Sequence, residues 1–126
     1  MAIYFNIKEM TKSQTAELYH IDNTPDEKVI GNLKKVMYIL DMVRAHIGKP
    51  ILINSGYRCK KLNEIVGGVQ KSMHTKGLAA DFKTKGKEDI DTMFEFLRKN
   101  QKDFKIIELI KYKTFIHMGV SETLTI

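Results

Sequence analysis

The clearest pattern of hydrophobic and polar positions lies in residues 26–47, where apolar side chains recur every three or four residues. This spacing places them on one face of a helix and predicts a long core helix. The apolar face consists of Val29, Leu33, Val36, Met37, Leu40, Val43 and Ile47. Thr24, Pro25 and Glu27 fit a capping box, with a hydroxyl N-cap and a proline at the first helical position. Gly48 is expected to end the helix.

Shorter segments predict the remaining elements. Strands are expected at 50–54, 79–83, 104–111 and 115–120, helices at 59–66 and 88–100, short helical turns within 5–20, and a polar loop at 69–76. The β-branched run at 50–54 is interpreted as a buried strand, and the last two strands are joined by a tight turn near Tyr112 and Lys113. Helices and strands mix without regular βαβ alternation. The sequence therefore predicts an α+β fold with a largely antiparallel sheet.

The composition fits a single domain over residues 1–126. Hydrophobic residues make up 43% of the chain and charged residues 29%, which excludes the disordered and fibrous classes. No internal repeat, low-complexity tract or flexible linker interrupts the sequence. The single cysteine, Cys59, excludes an internal disulfide and a four-cysteine zinc site. Any bound metal must therefore be held by histidine and carboxylate groups.

The net charge of +6 and the pI near 9.4 favour anionic partners, which could be nucleic acid, anionic lipid headgroups or acidic wall polymers, although a solvated basic surface is the default explanation. Nucleic-acid binding is not expected, because the lysines are scattered and no Arg-rich arm or aromatic–basic platform is present. The N-terminus lacks the pattern of a signal peptide, and no window reaches the ~18 apolar residues of a membrane span. We expect a monomer made in the cytoplasm, without membrane insertion.

Two of the four histidines stand out as candidate metal ligands. His20 and His46 have no acidic or histidine partner at ligand spacing. His74 lies in a polar loop before a glycine-containing turn, which leads into the strand that carries Asp81. His117 lies in an apolar strand, where a buried imidazole needs a partner. Two imidazoles and one carboxylate would leave a fourth tetrahedral position for water. Spacing alone also permits the alternative that His117 bonds to backbone in the core.

Several blocks around these residues resemble a known family. They are Ser55-Gly56-Tyr57-Arg58, Asn63, the S-x-H-x-x-G-x-A-A-D block from Ser72 to Asp81, and Phe115-Ile116-His117. In this order they resemble the zinc D-alanyl-D-alanine carboxypeptidase family, which shares its fold with the hedgehog signalling domain. The chain looks most like the short, single-domain members of Bacteroides-type bacteria and their phages. The resemblance implies one zinc ion bound by His74, Asp81 and His117.

The resemblance also implies roles for Arg58 and Ser72. Arg58 takes the place of an arginine that faces the active site, where its planar fork could hold a substrate carboxylate or an oxyanion. The alternative is a salt bridge that fixes the turn at 55–58. Ser72 could bind substrate, orient the loop that carries His74, or only cap the turn.

Zinc-dependent peptide hydrolysis needs a general base, and Glu108 is the candidate. Many relatives have a glutamate a few residues before the final histidine, but Tyr112-Lys113-Thr114 contains no acid. A two-residue turn at Tyr112-Lys113 would pair Lys111 with Thr114 and place Glu108 opposite His117. A three-residue turn would turn Glu108 to the other face. The alternative to a base is an exposed charge at the sheet edge.

The expected function is that of a zinc-dependent peptidase that hydrolyses peptidoglycan stem or cross-link peptides, as a D,D-carboxypeptidase or an endopeptidase. The N-terminal sequence fits a phage or prophage endolysin, which acts at the cell wall during host lysis or as part of the virion. The alternative is a catalytically inactive zinc-binding module with a wall-binding or virion structural role. The scissile bond stays open between D-Ala-D-Ala, L-Ala-D-Glu and a cross-bridge, because pocket shape decides it.

Overall fold

The computed structural model describes residues 3–126, which form one antiparallel sheet with helices packed against it. The helices in this part of the chain are α1 (Ile7–Thr11), α2 (Gln14–Leu18), α3 (Glu27–Ile47), α4 (Lys60–Ile65) and α5 (Asp89–Lys99), with a 3₁₀ helix at Met73–Lys76. The strands are β1 (Leu52–Ser55), β2 (Ala79–Lys83), β3 (Ile106–Lys111) and β4 (Ile116–Val120). Their order in the sheet is β1-β2-β4-β3, and each neighbouring pair is antiparallel. The predicted α+β fold is confirmed.

The hydrophobic core lies between α3, α5 and one face of the sheet. The apolar face of α3 is buried as its spacing predicts, with Leu33 and Leu40 fully inaccessible to solvent. The sheet and α5 complete the same cluster with Ala80, Phe82, Ile90, Met93, Leu97, Ile116, Met118 and Val120. Burying one large aliphatic side chain contributes roughly 1.5–3 kcal/mol. This cluster therefore fixes the position of the sheet against α3.

Alternation along the strands gives the sheet one apolar face and one polar face. In β4, Ile116 and Met118 are fully buried in the core, so His117 points to the opposite side. In β2, Ala80 and Phe82 are likewise buried, and Asp81 points away from them. The face directed away from α3 therefore carries two of the residues predicted to bind metal.

A β-bulge in β3 changes which of its residues face the core. Ile106 pairs with Val120, whereas Glu108 pairs with Gly119, so Ile107 is an extra residue on this strand. Ile106 is 4% exposed and belongs to the core, while Ile107 is 59% exposed. In a regular strand Ile106 and Glu108 would share one face. The bulge allows Ile106 to be buried while Glu108 lies on the polar face.

Helix α3 begins differently from the prediction. The N-cap is Asp26, whose carboxylate accepts a hydrogen bond from the Val29 N–H at 2.9 Å. Pro25 therefore precedes the cap instead of occupying the first helical position. The predicted capping box is wrong because the Thr24 hydroxyl bonds to the carboxylate of Asp22. The predicted end at Gly48 is confirmed, with a left-handed conformation at φ 67°.

The strand expected at 50–54 exists as β1, but it is not buried. It lies at an edge of the sheet, and Leu52 is 44% exposed. Only Ile51, just before the strand, is buried. A short β-branched run has the same composition in an edge strand and in a central strand, so the composition does not distinguish them.

The turn between β3 and β4 lies one residue later than predicted. The Tyr112 N–H donates to the Phe115 carbonyl at 2.9 Å, so Lys113 and Thr114 form the turn. The rings of Tyr112 and Phe115 stack at 4.6 Å between centroids, and such aromatic cross-strand pairs favour this register. The polar loop expected at 69–76 contains the 3₁₀ helix in its second half.

The other elements lie within two residues of their predicted bounds. Among the helices of residues 3–126, none is both long and apolar enough to cross a membrane.

Replacing Asp26 with alanine is expected to lower the free energy of unfolding by about 1 kcal/mol, because the Val29 N–H loses its acceptor. Asp26→Asn should keep most of the stability, since asparagine caps equally well. Thr24→Ala is the matched control, with an expected change within about 0.5 kcal/mol. Urea denaturation followed by circular dichroism measures all three. A larger loss for Thr24→Ala than for Asp26→Ala would restore the capping box.

Candidate metal centre

Three potential metal ligands meet on the polar face of the sheet. Asp81 in β2 and His117 in β4 are directly opposite each other on adjacent strands. His74 comes from the 3₁₀ helix, which ends at Gly77 with a left-handed φ of 73° before the chain enters β2. One ligand atom from each of the three residues lies within 4.8 Å of the others. The residues predicted to bind zinc therefore lie together.

Asp81 is the common partner of the two histidines. Its Oδ1 lies 2.7 Å from Nδ1 of His117 and 3.4 Å from Nε2 of His74. The two imidazole rings are 5.3 Å apart between centroids and are tilted by 54°. Nδ1 of His117 and Nε2 of His74 are therefore the nitrogens that face a common point beside the carboxylate.

Backbone and side-chain contacts fix the orientation of His74, which is 2% exposed. Its Nδ1 lies 2.7 Å from the carbonyl oxygen of Gly56. Because a carbonyl only accepts hydrogen bonds, Nδ1 carries the proton and Nε2 presents a lone pair. The His74 N–H donates to Oγ of Ser72 at 3.2 Å, and its carbonyl accepts from the Arg58 N–H at 3.1 Å. His74 is thus held in a ligand-ready tautomer.

The charges at the site depend strongly on one another. Burial disfavours the charged form of Asp81, but its contacts with His117 and His74 outweigh burial and hold the pKa of Asp81 at about 2. The hydrogen bond to Asp81 raises the pKa of His117, burial opposes this, and Glu108 adds to the increase. Burial lowers the pKa of Arg58, while the charge of Asp81 opposes that change. Asp81 is consequently ionised at neutral pH.

The donor set fits a zinc ion. Two imidazoles and one carboxylate are typical ligands of catalytic zinc, with bonds of about 2.0–2.2 Å that place neighbouring ligand atoms roughly 3.2–3.6 Å apart. The separations of 2.7 and 3.4 Å from Asp81 are close to this range, so small side-chain movements would suffice. Among residues 3–126, no second cluster of three histidine, cysteine or acidic side chains has this geometry.

The three ligands line a cleft of about 480 Å³. Arg58 and Lys71 bring positive charge to its wall, and the apolar side chains that line it are Val69, Met73, Ile110, Tyr112 and Phe115. Arg58 is partly buried, and its Nε makes no hydrogen bond within the described part of the chain. A guanidinium that lines the cleft beside the candidate ligands can bind an anionic group there.

Glu108 reaches the cleft through a different register from the predicted one. Ile110 lies opposite His117, and Glu108 lies opposite Gly119. The predicted pairing of Glu108 with His117 is wrong because Tyr112 pairs with Phe115 and shifts the register by two residues. A shift of two residues keeps every side chain on its face. Glu108 therefore still lines the cleft, and its Oε1 lies 2.8 Å from Nε2 of His117.

Ser72 begins the 3₁₀ helix, and its hydroxyl accepts the backbone N–H of His74. This is the turn-capping role that the sequence left open, while a contact of Ser72 with substrate stays a prediction. His46 stacks on Phe96 at 4.3 Å between centroids, and neither His20 nor His46 lines the cleft.

Two further residues of the site follow from the structure and were not predicted. The first is Gly56, whose carbonyl holds the His74 ring. Nothing in the sequence indicates this contact, because it joins segments that are distant along the chain. The second is Gly119, which lies beside Glu108. Strand alternation could have indicated Gly119, since it follows His117 by two positions and shares its face.

Adding zinc to the metal-free protein is expected to raise its melting temperature, because the ligands meet only in the folded chain. A ligand at 100 times its Kd stabilises the folded state by about 2.7 kcal/mol. Asp81→Asn should abolish most of this shift. Asp91→Asn, which changes an exposed acid, should keep it. Differential scanning calorimetry with and without zinc measures the effect. A full shift in Asp81→Asn would show that the ion binds elsewhere.

In the presence of a chelator, the free energy of unfolding should fall at both ends of the pH range. The pKa of Asp81 is about 2 in the folded protein and 3.8 ordinarily, so its stabilisation is present above 3.8 and lost as pH falls towards 2. The pKa of His117 is raised above 6.5, so its stabilisation is complete below 6.5 and lost as pH rises through the folded pKa. Urea denaturation from pH 2 to 9 tests this. In Asp81→Asn the free energy of unfolding should vary less with pH at both ends of this range. If its pH dependence is the same as in the wild type, the contact between Asp81 and His117 is not its cause.

Comparison with known sequences agrees with this geometry. A family model described as Peptidase M15 matches residues 3–119, a range that contains Arg58, Ser72, Glu108 and the three candidate ligands. No curated protein matches the chain. The family match supports metallopeptidase chemistry, whereas the narrower resemblance to D-alanyl-D-alanine carboxypeptidases stays a prediction. The chain belongs to the peptidase M15 family of zinc peptidases.

Proposed function

We propose that this protein is a zinc-dependent peptidase that hydrolyses the stem or cross-link peptides of peptidoglycan. The observation that carries the proposal is the set of three ligands, His74, Asp81 and His117, on the wall of a cleft. Structural zinc sites are closed by four protein ligands, whereas catalytic sites have three and leave one position for water or substrate. The family match supports peptidase chemistry, and the resemblance described above supports peptidoglycan as the substrate.

A zinc ion on these ligands would polarise the scissile carbonyl and lower the pKa of the attacking water. The residues around it supply orientation and charge. The Gly56 carbonyl keeps the proton of His74 on Nδ1, so that Nε2 stays available as a ligand. Arg58 is charged and lines the cleft, so it can donate hydrogen bonds to an oxygen that gains negative charge during attack. Arg58 is therefore the residue proposed to bind the oxyanion or a carboxylate of the substrate.

The lining of the cleft fits a short acidic peptide. Arg58 and Lys71 provide two positive charges, and the stacked rings of Tyr112 and Phe115 provide a flat apolar wall. If Arg58 pairs with the C-terminal carboxylate of the substrate, the enzyme removes one terminal residue as a carboxypeptidase. If Arg58 contacts the oxyanion, cleavage within a chain or a cross-bridge is equally accessible. The contact made by Arg58 thus separates the two activities.

The proposal includes the place and state in which the protein acts. Following the resemblance, we propose that it acts as a monomer on the cell wall, either in host lysis or as part of a virion. The net charge of +6 supports binding to an anionic wall polymer. No nucleic-acid partner is proposed.

A second candidate is a catalytically inactive zinc-binding module with a wall-binding or virion structural role. One observation favours it. The acidic residues that line the cleft within the described chain are Asp81 and Glu108, and each contacts a histidine. Glu108, which is not one of the three candidate ligands, is engaged by Nε2 of His117, and its general-base role stays a prediction.

Purified peptidoglycan incubated with the zinc-loaded protein should release new amino termini, and excess chelator should stop the release. Arg58→Ala should lower the rate by about 10²–10³-fold, the usual cost of losing one oxyanion donor. Arg58→Lys should recover part of it, because lysine keeps the charge but not the planar fork. Arg98→Ala is the matched control, since Arg98 is exposed and pairs with Glu95.

The products distinguish the possible bonds, because mass spectrometry identifies whether D-alanine, a longer stem fragment or an opened cross-link is released. Zinc binding without any release on peptidoglycan from several bacterial classes would support the inactive module. Equal activity of Arg58→Ala and Arg98→Ala would remove Arg58 from the proposed mechanism.

A further inference from the structure

Glu108 makes a specific contact with the ligand His117 on the side away from the other ligands. Its Oε1 lies 2.8 Å from Nε2 of His117, while Nδ1 of the same ring lies 2.7 Å from Asp81. An imidazole that binds a metal through one nitrogen carries its proton on the other. Because Nδ1 faces the common point of the three ligands, Nε2 is the nitrogen that carries the proton when zinc is bound. Glu108 is in position to accept a hydrogen bond from it.

Gly119 provides the space in which the Glu108 side chain lies. The two residues are paired across β3 and β4. A Cβ added to Gly119 would lie 2.7 Å from Oε1 and 3.0 Å from Cβ of Glu108, and 2.8 Å from Sδ of Met73. Contacts under 3.0 Å are not tolerated without a shift, so any larger residue would displace the carboxylate. The absence of a side chain at position 119 allows Glu108 to extend along the sheet towards His117.

The bulge at Ile107 determines the face of the sheet on which the Glu108 side chain lies. It turns Glu108 onto the polar face while Ile106 remains in the core. Without the extra residue, burial of Ile106 would direct Glu108 into the apolar core, where an unpaired carboxylate is strongly disfavoured. Two independent features of the backbone, the bulge and the glycine, therefore bring one carboxylate to one nitrogen of a metal ligand.

We propose that Glu108 is a positioning residue of the zinc site, which holds the proton of His117 on Nε2 and thereby presents the lone pair of Nδ1 to the metal. Carboxylate–histidine–metal arrangements of this kind fix the tautomer and ring orientation of the ligand and increase its basicity. This inference rests on the zinc site of the proposed function, and it assigns Glu108 a role different from the general base predicted from the sequence.

Zinc affinity, measured by competition with a chromophoric chelator in the absence of substrate, tests the role directly. Glu108→Ala is expected to weaken zinc binding by about 10–100-fold, the usual effect of losing such a partner. Glu108→Gln should keep the affinity within a few-fold, because its amide oxygen still accepts the hydrogen bond from Nε2. Gly119→Ala should weaken zinc binding although it leaves Glu108 unchanged. Gly31→Ala is the matched control, since a Cβ there meets nothing within 4 Å.

Two further measurements complete the test. In ¹⁵N NMR spectra of the zinc-loaded protein, His117 should show a metal-bound Nδ1 and a protonated Nε2, and Glu108→Ala should broaden or shift the Nε2–H signal. Urea denaturation of each metal-free variant establishes that it folds. Because Glu108 is 45% exposed, Glu108→Ala should unfold at nearly the wild-type urea concentration.

The outcomes separate the positioning role from the base and from the metal site itself. If Glu108→Ala binds zinc as tightly as the wild type, the positioning role is overturned. If both Glu108→Ala and Glu108→Gln keep the wild-type zinc affinity but lose nearly all hydrolysis, Glu108 is the base and the positioning role is overturned. If the wild-type protein binds no zinc, both the zinc site and the role of Glu108 fall. If the wild-type protein hydrolyses no peptide but the zinc affinities of the variants follow the expected pattern, only the proposed function is overturned.

Discussion

The contact between Asp81 and His117 across β2 and β4 is the interaction on which the rest of the site depends. The two residues are directly opposite each other, and on either side of them the strands bury Ala80, Phe82, Ile116 and Met118. Side chains alternate along a strand, so a slip of one residue would place both polar groups in the core and expose the apolar ones. The burial that fixes the sheet against α3 therefore also fixes these two candidate ligands next to each other.

This pairing has an electrostatic cost that the surroundings offset. A partly buried carboxylate is disfavoured unless it is paired, and the two histidines provide the pairing. Each imidazole is in turn oriented by an acceptor outside the ligand set, His74 by the Gly56 carbonyl and His117 by Glu108. Both histidines that could bind the ion are therefore held by a contact outside the ligand set. A preorganised site of this kind would need little rearrangement to bind a metal.

The sequence predicts those parts of the structure that depend on local periodicity. The spacing of apolar residues in α3 and the alternation of Ile116, His117 and Met118 are local signals, and both predictions are confirmed. The three candidate metal ligands could be chosen from the blocks around His74 and His117 because these blocks are themselves local, and the structure brings the three side chains together.

The errors occur where the sequence allows several local arrangements and only the side-chain contacts of the folded chain decide among them. The segment 22–26 contains Asp22, Thr24 and Asp26, each able to cap a helix, and only the folded chain shows that Thr24 bonds to Asp22. The hairpin register depends on the stacking of Tyr112 on Phe115, which a choice of turn residues does not reveal. The bulge at Ile107 likewise follows from the requirement to bury Ile106, and no turn or glycine residue marks it.

The bulge has a consequence for the outer edge of the sheet as well as for the site. β3 is an edge strand, and a flat edge with free N–H and C=O groups is a template on which a strand of another molecule can pair. The extra residue increases the local twist and interrupts the regular spacing of these groups. Lys111, whose ammonium group pairs with Asp91, adds a charge near the end of the same edge. The irregularity that directs Glu108 to its histidine therefore also hinders edge-to-edge aggregation of this strand.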